Sequence, residues 1–212
     1  MSYDLGITTY DPDGNIKQVT YAAKAVERGD TLIGIVYMGG ALLATLFSSE
    51  SKLIVPEFSE KIFKIEDNLY LAASGIASDI QVLVRKARVF VQNDQLLYKQ
   101  PTQPHILAEF LANEMHDCTQ QAPTRPYGAS LLIIGLDNNT PRLFEVNPAG
   151  VMRAFYARAI GQNSAQIMAE LEKKYDSKLD EKDAGSLVKS LFKKVTGEKF
   201  NEKQMSVINI KK

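Results

Sequence analysis

The chain has 212 residues, and its 25 Lys plus Arg are balanced by 25 Asp plus Glu, for a formal net charge of zero. With 45% hydrophobic and 24% charged residues it has the make-up of a globular fold with one sizeable core. The lack of a basic excess argues against a nucleic-acid partner bound through its phosphates. A single cysteine, Cys118, rules out an internal disulfide, and with only two histidines little is left for a zinc site, so neither metal nor cofactor is expected. No apolar run approaches the roughly 20 residues of a membrane helix. The polar start Met1-Ser2-Tyr3-Asp4 lacks the pattern of a secretory signal. No membrane partner and a cytoplasmic location follow as expectations.

In chain order, Asp11-Pro12-Asp13-Gly14 is a turn signal. Val19, Ala22, Ala25 and Val26 then recur at helical spacing and predict a helix over 16–28, stopped at Gly29. Thr31–Tyr37 and Ala41–Phe47 read as strands joined at Gly39-Gly40. Ile62–Ile65 and Leu69–Ala73 read as two more, with a bend at Ser74-Gly75. Ile80, Leu83, Val84, Ala87 and Val91 mark one helix face; Leu107, Leu111, Met115 and Cys118 mark a second, beyond Pro101 and Pro104. Ala129–Leu136 and Arg142–Val146 flank Asp137–Pro141. Asn147-Pro148-Ala149-Gly150 turns into a strand over Val151–Ile160. Asn163 with Gln166 resembles a capping box that leads into Met168, Leu171 and Tyr175. Ala184, Leu187, Val188, Leu191 and Val195 form the last helical stripe, stopped by Gly197, and Met205–Ile210 reads as a closing strand.

Strands, helix pair, strands, helix pair, strand: with hairpin-length connections this predicts antiparallel sheets. Each sheet is apolar enough to need cover on both faces. The expected fold is α+β, a four-layer αββα sandwich in one domain over 1–212.

The same order carries a resemblance. Tyr3-Asp4, Tyr10-Asp11-Pro12-Asp13-Gly14, Gln18-Val19-Thr20-Tyr21-Ala22 and Arg28-Gly29-Asp30-Thr31-Leu32-Ile33-Gly34-Ile35 resemble the alpha-type subunits of the proteasome core particle. So do Glu60-Lys61-Ile62, Ala73–Asp79, Arg125-Pro126-Tyr127-Gly128, Asn147–Gly150 and Ala159-Ile160-Gly161. The resemblance implies an N-terminal-nucleophile hydrolase-like fold, with 1–29 as gate segment and ring-contact helix and 30–212 as the core.

Beta-type subunits of that family use a threonine whose own free amine is the base. By resemblance that position falls on Asp30, which has no hydroxyl to activate. The supporting acid falls near Leu46, and of the constellation only Lys61 is present. A noncatalytic role is therefore implied, without catalytic residues. The chain would form a seven-membered ring with other alpha-type subunits, stack on beta-type subunits and gate substrate access. A ring-shaped ATPase activator would dock on it for ATPase-dependent protein degradation. By resemblance the gate and ring contact is Tyr3, Asp4, Pro12 and Tyr21, and the pocket for the activator's C-terminal tail is Gly29, Lys61 and Ile76. An ammonium facing a terminal carboxylate makes a charge-assisted hydrogen bond. Arg125, Pro126, Tyr127 and Gly128 read as structural, with Arg125 pairing a carboxylate nearby or across a subunit contact. His116-Asp117-Cys118 points in several directions on its helix and forms no relay; Cys118 reads as a small core residue. The chain departs from the family at Leu5, Thr20, Leu46 and Phe47, where charged residues are usual. Two alternatives stand beside this reading: a self-processing hydrolase using Thr31 after cleavage at Asp30, and a stand-alone ring-forming binding module.

Overall fold

A computed structural model describes residues 8–46, Leu53 and 60–212, apart from the side chains of Lys199 and Lys203. Tyr3, Asp4, Leu5 and Phe47 lie outside the described residues.

Helix α1 (Lys17–Glu27) follows a turn built by Asp11, whose Oδ1 accepts from the backbone N–H groups of Asp13 at 3.0 Å and Asn15 at 2.8 Å. Its apolar spacing buries Ala22 and Val26 and leaves Tyr21 outward. Strands β1 (Leu32–Tyr37) and β2 (Gly40–Leu46) form a hairpin in which Tyr37 already pairs with Gly40. The turn is thus Met38-Gly39, one residue earlier than the sequence suggests, with Gly39 at φ +90° supplying the left-handed position. Strands β3 (Ile62–Glu66) and β4 (Leu69–Gly75) follow. At the bend expected at Ser74-Gly75 both residues still pair with β5 (Ala129–Asp137), but Gly75 leaves strand geometry at φ +129° just before α2 (Ala77–Tyr98).

Helices α2 (Ala77–Tyr98) and α3 (Pro104–Gln120) lie between β4 and β5 in the chain. Pro104 takes the first turn of α3, where its missing N–H costs nothing. The buried face of α3 ends on Met115 and Thr119; Cys118 is half-buried beside it and is not a core residue as expected. Burial raises its thiol pKa, so the thiolate is disfavoured.

Strand β6 (Thr140–Val146) starts after the two-residue turn Asn138-Asn139, both left-handed at φ 47° and 63°. The strand expected over Val151–Ile160 is two strands, β7 (Met152–Phe155) and β8 (Ala157–Ile160), and they belong to different sheets. β7 pairs with β6, and β8 pairs with β1. The chain changes sheet at Tyr156, whose carbonyl accepts the N–H of Val36 at 2.7 Å. Helices α4 (Ser164–Lys174) and α5 (Glu181–Thr196) and strand β9 (Met205–Lys211) complete the order. Asn163 is left-handed at φ 60° and its side chain caps nothing, so the expected capping box is absent. The side-chain cap is at α5, where Asp180 Oδ1 accepts the N–H of Asp183 at 2.8 Å.

One antiparallel sheet has the order β8-β1-β2-β9, the other β3-β4-β5-β6-β7. Their facing sides pack Leu32, Leu43, Leu132, Ile134 and Leu143 against each other, all fully buried. α2 and α3 cover the five-stranded sheet through Leu83, Val91, Leu107, Leu111 and Met115. α4 and α5 cover the four-stranded sheet through Ile167, Leu171, Val188, Leu191 and Phe192. This is the four-layer αββα sandwich expected from periodicity. Burial of each large side chain contributes about 1.5–3 kcal/mol, so the three apolar layers carry the stability. Among the described residues, no helix is long and apolar enough to cross a membrane.

Candidate functional site

The end of β4 is where the chain gathers its chemistry. Gly29, just past α1, lies so close to β4 that a Cβ there would sit 2.4 Å from Ser74 Oγ and 2.5 Å from the Gly75 nitrogen. Ser74 is buried, and its hydroxyl lies 2.8 Å from the Asp30 carbonyl and 3.3 Å from that of Val26. The Gly29 carbonyl accepts the N–H of Gln162 at 2.9 Å. Gly161, at φ +84°, leaves room for the Asp30 carbonyl, which a Cβ would meet at 2.0 Å. These contacts lock the backbone between the end of α1 and the start of β1. Gly29→Ala is expected to destabilise the fold by about 1–3 kcal/mol, the usual cost of overpacking, read as a lowered thermal midpoint.

Lys61 leads into β3, and its carbonyl lies 3.4 Å from the Ala73 N–H on β4. Its ammonium is 2.9 Å from Asp30 Oδ2, with the two side chains 31% and 25% exposed. Ile76, one residue past β4, is 40% exposed and donates its N–H to the Gly128 carbonyl at 2.8 Å. Gly29, Lys61 and Ile76 are thus brought together around the segment Ala73–Ile76. The residue that sequence reasoning missed as a partner is Asp30, weighed there only as a vacant nucleophile position.

Thr31 is 9% exposed, and its hydroxyl donates to the Gln162 carbonyl at 2.7 Å. Thr45 Oγ1 reaches the Thr31 carbonyl at 3.3 Å. Leu46 ends β2 half-buried and apolar, with no carboxylate to offer.

Arg125 forks onto Asp79: its two terminal nitrogens lie 2.6 and 2.7 Å from the two carboxylate oxygens. The Gly128 N–H adds a third bond, 2.8 Å to Asp79 Oδ2. Burial pushes the Asp79 carboxyl up, but Arg125 and the Gly128 N–H outweigh it and hold the carboxyl below its ordinary value. Pro126 and Gly128 are buried, and Tyr127 packs against the α2–α3 layer. The partner of Arg125 is therefore within the chain. The signal that could have found it is an acid in the first turn of a helix, where the dipole favours negative charge.

A second fork crosses between the sheets. Arg158 on β8 meets Glu145 on β6 at 2.7 and 3.1 Å, and Glu145 is 8% exposed. The guanidinium also stands 4.9 Å from the Phe155 ring centroid. The pair lines a cavity of about 270 Å³ beneath α1, with Val19, Ala23, Glu27 and Ser164. Nothing in the local sequence announces this pair, because its members belong to different sheets.

Of the expected gate residues, Pro12 is exposed in the turn before α1, and Tyr21 is 50% exposed with the Lys24 ammonium 5.8 Å from its ring centroid. Among the described residues no cluster of three or more His, Cys, Asp or Glu could hold a metal.

Two antiparallel sheets face to face between helix layers, with a strand leading out of the Gly29 corner, form the N-terminal-nucleophile hydrolase-like architecture. The proteasome subunit family matches residues 26–210, and the A-type N-terminal signature of proteasome subunits matches residues 3–25. The chain belongs to the proteasome subunit family, on its alpha side, as one of the alpha-type subunits of the core particle. It is 41% identical over 182 residues to Proteasome subunit alpha of Methanocaldococcus jannaschii, covering 85% of this chain and 70% of the relative. It is 38% identical over 210 residues to the protein of the same name from Thermococcus sibiricus, covering 99% and 80%. To that of Picrophilus torridus it is 34% identical over 211 residues, covering 100% and 90%.

Proposed function

We propose that the chain is a noncatalytic outer-ring subunit whose whole length, 1–212, acts as one unit in a cytoplasmic proteasome. It assembles with other alpha-type subunits into a seven-membered ring and stacks on a beta-type ring. Its leading segment gates access through Tyr3, Asp4, Pro12 and Tyr21. A ring-shaped ATPase activator docks its C-terminal tails beside Gly29, Lys61 and Ile76, and Arg125 to Gly128 hold the corner rigid.

One observation carries the noncatalytic part. Thr31 is only 9% exposed, and its hydroxyl already donates to the Gln162 carbonyl at 2.7 Å. A threonine nucleophile needs an open hydroxyl beside a free amine that takes its proton, and the Thr31 hydroxyl is instead committed to a backbone carbonyl. The exposed outer face of α1, with Tyr21 half in solvent, supports the ring contact.

The purified chain is expected to keep its full mass, to form rings visible by negative stain and to add a beta-type ring when the two are mixed. It should cleave no fluorogenic peptide and take no covalent adduct from a threonine-directed epoxyketone. A mature chain beginning at Thr31 and carrying that adduct would sink the proposal.

A further inference from the structure

We propose that Asp30 is a built-in competitor for the tail pocket: its carboxylate holds the Lys61 ammonium, and an incoming C-terminal carboxylate must displace or share it. The inference rests on the reading of Lys61 as the tail-binding lysine.

The pair is fixed from both sides. The Asp30 backbone is anchored, because its carbonyl is held by the Ser74 hydroxyl at 2.8 Å and hemmed by Gly161. Gly29 before it is tied to Gln162, and Lys61 lies beside Ala73 on the neighbouring strand. The resulting contact, 2.9 Å between Lys61 Nζ and Asp30 Oδ2, is a charge-assisted hydrogen bond of ordinary length. It is also reachable, since about a quarter to a third of each side chain faces solvent.

The consequence is electrostatic. A lone ammonium presents one positive charge to a chain terminus; an ammonium beside its own carboxylate presents a neutral pair. Lysine has three donors, so a second carboxylate can still bind, but only next to a like charge. A pair this open to water is worth at most about 1 kcal/mol, which is about fivefold in affinity. For one free peptide that penalty falls on binding that is already weak. For a partner that presents several tails to one ring it is overcome by effective concentration. Asp30 thereby selects a multivalent ring over stray chain termini.

The test is fluorescence anisotropy on the assembled ring, at low salt, with the labelled C-terminal decapeptide of a proteasomal ring ATPase. Asp30→Asn and Asp30→Ser are expected to bind it about fivefold more tightly than the wild type, and Lys61→Ala to lose binding. Amidating the peptide's C-terminus should erase the gain. Two Asp30 variants are used so that poor assembly of one does not decide the matter. If Lys61→Ala abolishes binding while both Asp30 variants bind no better than the wild type, the competitor inference is wrong and the pocket stands. If Lys61→Ala binds as well as the wild type, or if no ring binds the peptide, the pocket reading itself fails and Asp30 loses its role with it.

Discussion

Arg158→Ala is expected to cost about 3 kcal/mol of stability, measured as a lowered urea midpoint at fixed protein concentration. The reason lies in the partner left behind. Glu145 is 8% exposed on β6, and Arg158 satisfies both of its oxygens from the opposite sheet. Removing one member of a buried pair strands the other charge, which typically costs about 3–5 kcal/mol; because Arg158 itself is 31% exposed, the lower end applies. The truncation also enlarges the space of about 270 Å³ under α1, so that helix loses part of its floor. A control separates the two effects. Glu145→Leu combined with Arg158→Ala should recover most of the loss, since no charge is then left unpaired. A single-variant cost under about 0.5 kcal/mol would mean that the fork behaves like any surface bridge.

Arg125→Ala is expected to be nearly as damaging, about 2 kcal/mol, and to differ in its response to pH. Asp79 keeps the Gly128 N–H but loses a bidentate guanidinium that is itself 57% exposed. In the wild type the Asp79 carboxyl is held below its ordinary value. Its contribution is therefore full above the unfolded value of about 3.9 and fades as pH falls through the folded value. Without Arg125, burial dominates and the carboxyl moves up. The difference between wild type and variant should thus be full at neutral pH, narrow as pH falls through the ordinary carboxylate value of about 3.9, and close only below the lowered folded value. Parallel denaturation series at about pH 7 and about pH 3.5 read this directly; equal differences at both would show that Arg125 acts through packing and not through charge.

Much of this fold is written in short-range pattern. The α1 stripe, the two helix pairs and the stop at Gly197 all follow from apolar spacing and turn chemistry, and the structure reproduces them within a residue or two. The four layers follow because strands apolar on both faces need cover on both. What the pattern does not carry is which sheet a strand joins. Val151–Ile160 reads as one strand because nothing at Tyr156 looks like a breaker, yet there the chain leaves one sheet for the other. Asn163 fails as a cap because its backbone is left-handed, a property of φ that residue type does not fix. The candidate site divides in the same way. Lys61, Gly29 and Ile76 are legible through their resemblance to a family pattern. Asp30 against Lys61, Asp79 against Arg125 and Glu145 against Arg158 are long-range pairs that no local spacing announces.

The four-stranded sheet is assembled from distant parts of the chain. Its central hairpin is made early in sequence, yet β8 closes one flank and β9 the other, with Gly40 facing Lys211. During synthesis the edges of the hairpin stay open and apolar until β8 and β9 have left the ribosome. Pairings of such large sequence separation form slowly and expose strand edges to other chains. Newly made copies therefore pass through an interval with unpaired apolar edges, the stage at which contact with other chains competes most with correct closure.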